Sequence, residues 1–175
     1  MREKMDAATQ AAVSFLKGLS TGPHIEWPHD FRVVEPSDEQ LAEEFGYCFG
    51  GQRWSTSGDT FVQFGRDASG SMFLLWYYPG LNAKPPVVYV GSEGESMLLA
   101  TDIEDFIRQL GLGESFCCGA FGCSDEFNER VWSELRRIIQ DEFEFSDENL
   151  QQLIDKASQS HPDFTMWFES VVEYK

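Results

Sequence analysis

Cysteine is the first residue type in this chain whose spacing could support metal or redox chemistry. Cys48 stands alone, whereas Cys117, Cys118 and Cys123 cluster in the segment FCCGAFGCS. Zinc sites usually combine pairs at C-x2–4-C spacing with a second pair further along, and no histidine lies near this cluster. We therefore interpret the cysteines as small apolar residues in the core or in loops, with metal or redox chemistry as the alternative.

Histidine, the commonest general base, occurs only three times in the chain. His24 and His29 lie in a proline-rich segment, where surface histidines are favoured over a metal-binding pair, and His161 precedes Pro162 at a predicted helix start, which favours a structural role. The sequence contains no G-x-S-x-G, H-E-x-x-H, P-loop or dinucleotide-binding motif. We predict a protein without an active site, metal or cofactor; an enzyme that uses clustered acids or the cysteines is the alternative.

The net charge is the strongest compositional signal, with 13 basic against 30 acidic residues and a formal charge of −17. Nucleic acid and anionic membranes are bound through Lys and Arg, so this field predicts neither as a partner. It favours a basic protein, although acidity that only maintains solubility is the alternative. The chain shows no apolar run of about 20 residues and no secretory pattern at its start, so we expect a cytoplasmic protein.

The elements that must position any binding residues are predicted from periodicity and turn chemistry. A helix is expected over 6–19, a loop over 21–30, a short strand near 31–34, and a helix opened by a capping box at Ser37–Gln40. Further strands are predicted over 60–64, 71–78, 86–90 and 97–100, and their short, turn-rich connections indicate an antiparallel meander.

Helices are predicted to follow the sheet. A second capping box is expected at Thr101–Glu104, before an apolar stripe of Ile103, Phe106, Ile107 and Leu110 that should pack on the sheet. Three more helices are expected to begin near Ser124, Ser146 and His161, the last carrying Phe164, Trp167, Phe168 and Val171.

Aromatic residues at a strand end are the best candidates for partner contacts. Strand alternation sends Trp76 and Tyr78 to one face of the sheet and Tyr77 to the other. On an open face these side chains would make interface anchors. Core packing is the alternative, since aromatic residues also fill cores.

Three segments of the chain resemble the SUKH superfamily, which includes fungal cell-wall assembly regulators of the Smi/Knr type and many bacterial immunity proteins. They are FGRDASGSMFLLWY at 64–77, PVVYVGSEGE at 86–95 and LLATDIEDFI at 98–107; HPDFxxW at 161–167 is also similar to the tail of bacterial members. Family members usually open with a Leu-Pro step before a short helix that ends in an Asn-Gly-Gly-like turn. Of this pattern, only Pro36, the helix from Ser37 and Gly50-Gly51 match here. Residues 1–30 fall outside the resemblance and are assigned to an N-terminal extension, and residues 31–175 to a single SUKH-like domain.

The resemblance implies an α+β fold with a central, mostly antiparallel sheet flanked by helices, and no catalysis. It implies an immunity protein that binds and neutralises a toxin, often a nuclease, whose basic surface suits an acidic partner. A regulatory protein-interaction scaffold is the alternative. We expect the partner at the exposed parts of the sheet and its turns, at Asp67, Tyr77, Glu93 and Glu95, with Trp76 or Tyr78 as the apolar anchor.

Overall fold

A five-stranded antiparallel sheet with strand order β1-β2-β3-β4-β5 forms the centre of the protein. The computed structural model describes residues 5–21, 31–49, 58–112, 114–117, 120–123, 129–144 and 149–171. The strands are β1 (Arg32–Val33), β2 (Thr60–Arg66), β3 (Met72–Tyr77), β4 (Val87–Val90) and β5 (Ser96–Ala100). The predicted meander and the α+β fold class are therefore confirmed.

Six helices occur in the described ranges, and a separate hairpin lies outside the main sheet. The helices are α1 (Ala7–Thr21), α2 (Asp38–Phe49), α3 (Ile103–Gly111), α4 (Glu129–Glu142), α5 (Leu150–Ser160) and α6 (Phe164–Val171). The hairpin joins β6 (Glu114–Cys117) to β7 (Ala120–Cys123) and was not predicted. The predicted loop over 21–30 lies outside the described residues, apart from its first residue, which ends α1.

The sheet separates two hydrophobic cores. On one face the predicted stripe of α3 is fully buried against Phe73 and Tyr89, together with side chains from α1 and α4. On the other face Leu74 and Val88 pack with residues of α2, α5 and α6. In the described part of the chain, both faces of the sheet are thus covered by helices, and the open face that an exposed aromatic anchor would need is not found there.

Helix α1 belongs to the first of these cores. Leu16 is completely buried, and Ala12 and Val13 are buried beside the sheet residues. Although the sequence pattern sets residues 1–30 apart, this helix contributes to the same apolar interior as the domain that follows. Such burial of Leu and Val side chains is worth about 1.5–3 kcal/mol each.

The helix caps agree with the predictions at one position and differ at two. Ser37 and Gln40 form the predicted capping box, with each backbone N–H donating to the other side chain. The box at Thr101–Glu104 is wrong, because Asp102 caps α3 by accepting from the backbone N–H of Asp105.

The second difference is at α5. Asn149 caps this helix in a capping box with Gln152. Ser146, near which this helix was predicted to begin, lies outside the described residues, as does Ser124 at the predicted start of the preceding helix.

Two β-bulges adjust which side chains face each core. The register of β2 against β3 shifts between Gln63 and Gly65, and that of β4 against β5 shifts between Val87 and Val88. A bulge places two residues opposite one partner, so alternation restarts beyond it. For this reason Leu99 and Ala100 both lie in the α3 core although they are adjacent in sequence.

Candidate functional site

Trp76 and Tyr78 are the two predicted partner-binding residues that the fold brings together. Both lie on the face covered by α6, and their ring centroids are 4.5 Å apart. Tyr77 packs against the opposite core, so the alternation predicted for this strand end is confirmed. The C-terminal segment completes the surroundings of Trp76 and Tyr78.

A surface cavity of about 390 Å³ lies at this strand end, and we call it the aromatic cavity. Its polar and aromatic lining residues are Asp59, Trp76, Tyr78, His161, Asp163 and Trp167. Gly58, with φ of 85°, and Asp59 directly precede β2, whose first residue, Thr60, pairs with Tyr77 at the end of β3. His161 and Asp163 lie between α5 and α6, so the end of one helix and the start of the next position them.

Asp59 joins the two tryptophans. Its carboxylate accepts hydrogen bonds from Trp76 Nε1 at 2.6 Å and from Trp167 Nε1 at 2.9 Å. Asp59 and Trp76 are each 3% exposed, whereas Trp167 is half-buried. Since bonds to a charged acceptor are stronger than neutral ones, this carboxylate holds α6 against the sheet and fixes both indole rings.

A second polar contact lies across the cavity. The Tyr78 hydroxyl is 2.8 Å from Nδ1 of His161, and Tyr78 remains half-buried. Burial, with a smaller contribution from the charge of Asp163, raises the pKa of Tyr78 above its usual 10.0. Burial also lowers the pKa of His161 below 6.5, so its ring is neutral at neutral pH. His161 is therefore a buried ring in a defined hydrogen bond.

The chemistry of the aromatic cavity suits a cation. Aromatic faces attract ammonium and guanidinium groups. Asp163 is exposed at the rim, and the carboxylate of Asp59 lies at the Nε1 edges of the two indole rings.

Asp67 does not lie at an exposed turn, and that expectation is wrong. It is 3% exposed, and its Oδ1 accepts from the Ser71 backbone N–H at 3.0 Å and the Ser69 hydroxyl at 2.6 Å. Tyr89 donates to Ser71 Oγ at 2.8 Å, which links this turn to the central strand. Burial raises the pKa of Tyr89 to about 12, to which the charges of Asp67 and Glu95 contribute. Asp67 therefore organises the β2–β3 turn from inside the protein.

The remaining predicted residues lie apart from the aromatic cavity. Glu93 is exposed in the β4–β5 turn, and Glu95 is half-buried with its carboxyl group over Gly91. Tyr77 is half-buried in the α3 core, where burial and the charge of Asp6 raise its pKa to about 12. Because Trp76 is buried too, Tyr78 is the only predicted apolar anchor whose side chain reaches both the cavity and solvent.

Sequence reasoning missed Asp59 and assigned Trp167 only to a helix face. The indole of Trp76 is 17 positions from Asp59, and that of Trp167 is 108 positions away. No local pattern encodes such a contact. The only available signal was an acidic residue between a glycine and an apolar strand start, which by itself is typical of a turn.

Only some of the cysteine and histidine residues that were considered for metal or redox chemistry lie within the described residues. Cys117 pairs with Ala120 and Cys123 with Glu114, so the two cysteines occupy opposite ends of the β6–β7 hairpin. Cys118, His24 and His29 lie outside the described residues. Within the described ranges, no group of three or more His, Cys, Asp or Glu residues is arranged to hold a metal ion.

Comparisons of the chain with protein-family models, with curated proteins and with solved structures gave no match. Among the helices that the structure describes, none combines the length and apolar character needed to cross a membrane.

Proposed function

We propose that this chain is a non-catalytic binding protein that holds a basic protein partner, with the aromatic cavity receiving a lysine or arginine side chain of that partner. The observation that carries the proposal is the buried Asp59 carboxylate, which accepts from the indole N–H groups of Trp76 and Trp167 in a cavity that opens to the surface. Charged hydrogen bonds and cation–π contact favour the same kind of guest.

The charge of the whole chain supports this proposal. A formal charge of −17 creates a field that accelerates the encounter with a basic protein and disfavours acidic partners. The field does not select one partner by itself, since charge acts on all basic proteins. Shape and aromatic contact at the cavity supply the selection, because buried aromatic anchors commonly dominate binding energy.

The more specific proposal is an immunity protein of the SUKH type that acts in the cytoplasm and neutralises a toxin by direct binding. The resemblance of residues 64–107 to that superfamily supports it, as does the suitability of an acidic protein for a basic, nucleic-acid-binding toxin. In this proposal the protein occupies the toxin's surface and needs no catalytic group of its own.

The test is co-expression with the protein encoded by the adjacent reading frame. We expect a stable complex that survives purification at about 0.15 M salt, together with loss of the partner's toxicity. Trp167→Ala removes the half-buried indole, and we expect it to weaken the complex by about 10-fold or more, as for an aromatic hot spot.

Met166→Ala is the matched control, because Met166 precedes Trp167 on α6 and is 66% exposed. It should leave the affinity unchanged within about 2-fold. Full toxicity and no complex would refute the immunity proposal. Several unrelated partners with no inhibition would favour a regulatory scaffold.

A further inference from the structure

A second cavity, here called the α2 groove, lies between α2 and the β1–β2 side of the sheet. Its volume is about 800 Å³, and its polar lining includes Glu35, Gln40, Glu43, Glu44, Gln63 and Arg66. A neighbouring cavity of about 440 Å³ shares Glu35, Gln40 and Gln63 with it and adds Asp38. Four carboxylates and one guanidinium therefore line the two cavities.

The β-bulge in β2 brings together two residues that line the α2 groove, Gln63 and Arg66, which we call its floor. Gln63 pairs with Leu74 and Arg66 pairs with Met72, so their partners are two positions apart on β3. Residues two apart on a strand share a face, which places Gln63 and Arg66 side by side on the face that α2 covers. Without the bulge their three-residue spacing would send them to opposite faces.

Both floor residues carry a buried polar atom that lacks a partner among the described residues. Gln63 is 4% exposed; its Nε2 donates to the Gly65 carbonyl at 3.2 Å, but its Oε1 accepts no hydrogen bond from the described residues. Arg66 pairs with Glu44 through Nη2, whereas its Nε finds no acceptor in the described part of the chain. Buried polar atoms in native proteins are nearly always satisfied, so this pair calls for a ligand or ordered water.

The two atoms and the carboxylates specify the chemistry of that ligand. Gln63 Oε1 and the Glu43 carboxylate favour a cationic group with several N–H donors, and Arg66 Nε favours a carbonyl oxygen. A lysine or arginine residue in an extended peptide carries both, in its side chain and in its backbone. A simple cation would satisfy only the acceptors.

We propose that the α2 groove binds an extended, lysine- or arginine-bearing segment of the basic partner, as a second contact separate from the aromatic cavity. This inference rests on the proposed function for the identity of the partner. The chemistry of the groove can nevertheless be tested without the partner.

The probe is a fluorescein-labelled hexa-arginine peptide, with hexa-citrulline as its uncharged counterpart, measured by fluorescence anisotropy at about 0.15 M salt, where the Debye length is about 8 Å. Gln63→Met keeps the approximate volume of the side chain but removes Oε1, together with the Nε2 donor to the Gly65 carbonyl, and we expect it to weaken hexa-arginine binding by about 10-fold or more. Glu43→Gln should weaken it by about 2- to 5-fold, as expected for a partly exposed charge. Hexa-citrulline should bind at least about 10-fold more weakly than hexa-arginine.

Two exposed positions outside the groove provide matched controls. Gln151→Met on α5 repeats the glutamine substitution, and Glu142→Gln on α4 repeats the loss of charge. Neither should change the affinity beyond about 2-fold. Equal weakening of peptide binding by Glu43→Gln and Glu142→Gln would show that net charge alone attracts the peptide, and would overturn the inference of a site in the α2 groove. A wild-type protein that does not bind the peptide would overturn it too.

The same variants separate this inference from the proposed function. If the partner complex forms and is weakened by Trp167→Ala but not by Gln63→Met, the groove inference fails while the proposed function stands. If no partner complex forms but hexa-arginine binding depends on Gln63, the proposed function fails while the groove remains a site for a basic peptide.

Discussion

Replacing Asp59 by asparagine is the most informative test of the aromatic cavity. The substitution preserves the shape of the side chain but removes its charge and replaces one oxygen with an NH₂ donor. Only one of the two indole N–H groups, from Trp76 or Trp167, then keeps an acceptor. The other indole N–H then faces the NH₂ group of the asparagine, which is also a donor, where the wild-type protein has a carboxylate oxygen.

The magnitude follows from the burial of these groups. A hydrogen bond to a charged group contributes about 1.5–3 kcal/mol, and a buried donor left without an acceptor costs about 1–3 kcal/mol. Because Trp76 is buried and Trp167 half-buried, we expect Asp59→Asn to lower the free energy of unfolding by about 2–4 kcal/mol. For a domain of this size the melting temperature should fall by about 4–16 °C.

The assay is urea unfolding followed by tryptophan fluorescence and circular dichroism, completed as a double-mutant cycle with Trp167→Phe. If the Asp59–Trp167 bond stabilises the fold, the cycle should give a coupling energy of about 1–2 kcal/mol. Asp163→Asn, at the exposed rim, is the control and should change stability by less than about 0.5 kcal/mol. An Asp59→Asn protein within about 0.5 kcal/mol of the wild type, or a coupling energy near zero, would refute the assigned role of Asp59.

Three further outcomes are expected from urea unfolding. Burial lowers the pKa of His161 below its usual 6.5, so the stability contributed by its neutral ring is complete above about pH 6.5 and is lost as the pH falls toward the folded-state pKa. His161→Gln should therefore show less loss of stability between about pH 7.5 and about pH 5.5 than the wild type, and equal losses would contradict this account. Gly65→Ala should destabilise the protein by about 1–3 kcal/mol, because the added Cβ would overlap the ring of Phe31; an unchanged midpoint would mean that the ring moves freely. Lys156→Met removes an ammonium 3.2 Å from the buried Asp105 carboxylate and should cost about 1 kcal/mol, less at high salt. An effect independent of salt would indicate lost packing rather than the ion pair.

Much of the fold was predictable because it depends on local interactions. The Ser37–Gln40 capping box is formed by neighbours, and the turn after Arg66 uses an Asp and a Gly within a few positions. The cap of α3 was misplaced by one residue because Thr101 and Asp102 are both good capping residues. The Thr101 hydroxyl instead donates to the side chain of Asp105, a contact that sequence spacing alone does not favour.

The candidate site was less predictable. Trp76 and Tyr78 were identified from strand alternation, but their burial depends on α6, whose Phe164 and Phe168 pack into the same core. Asp67 is a residue type typical of a solvated turn, but the tertiary structure buries its carboxylate and brings the Tyr89 hydroxyl of β4 to it.

The sequence by itself determined the antiparallel meander and the acidic charge. It also determined that Trp76 and Tyr78 lie on one face of the sheet and Tyr77 on the other. These follow from side-chain alternation, turn residues and composition, which act over a few positions of the chain. Only the tertiary structure decided that both sheet faces are covered in the described part of the chain, that Asp59 receives two distant indoles, and that a bulge brings Gln63 beside Arg66. Each of these depends on packing between segments far apart in sequence, which no local pattern specifies.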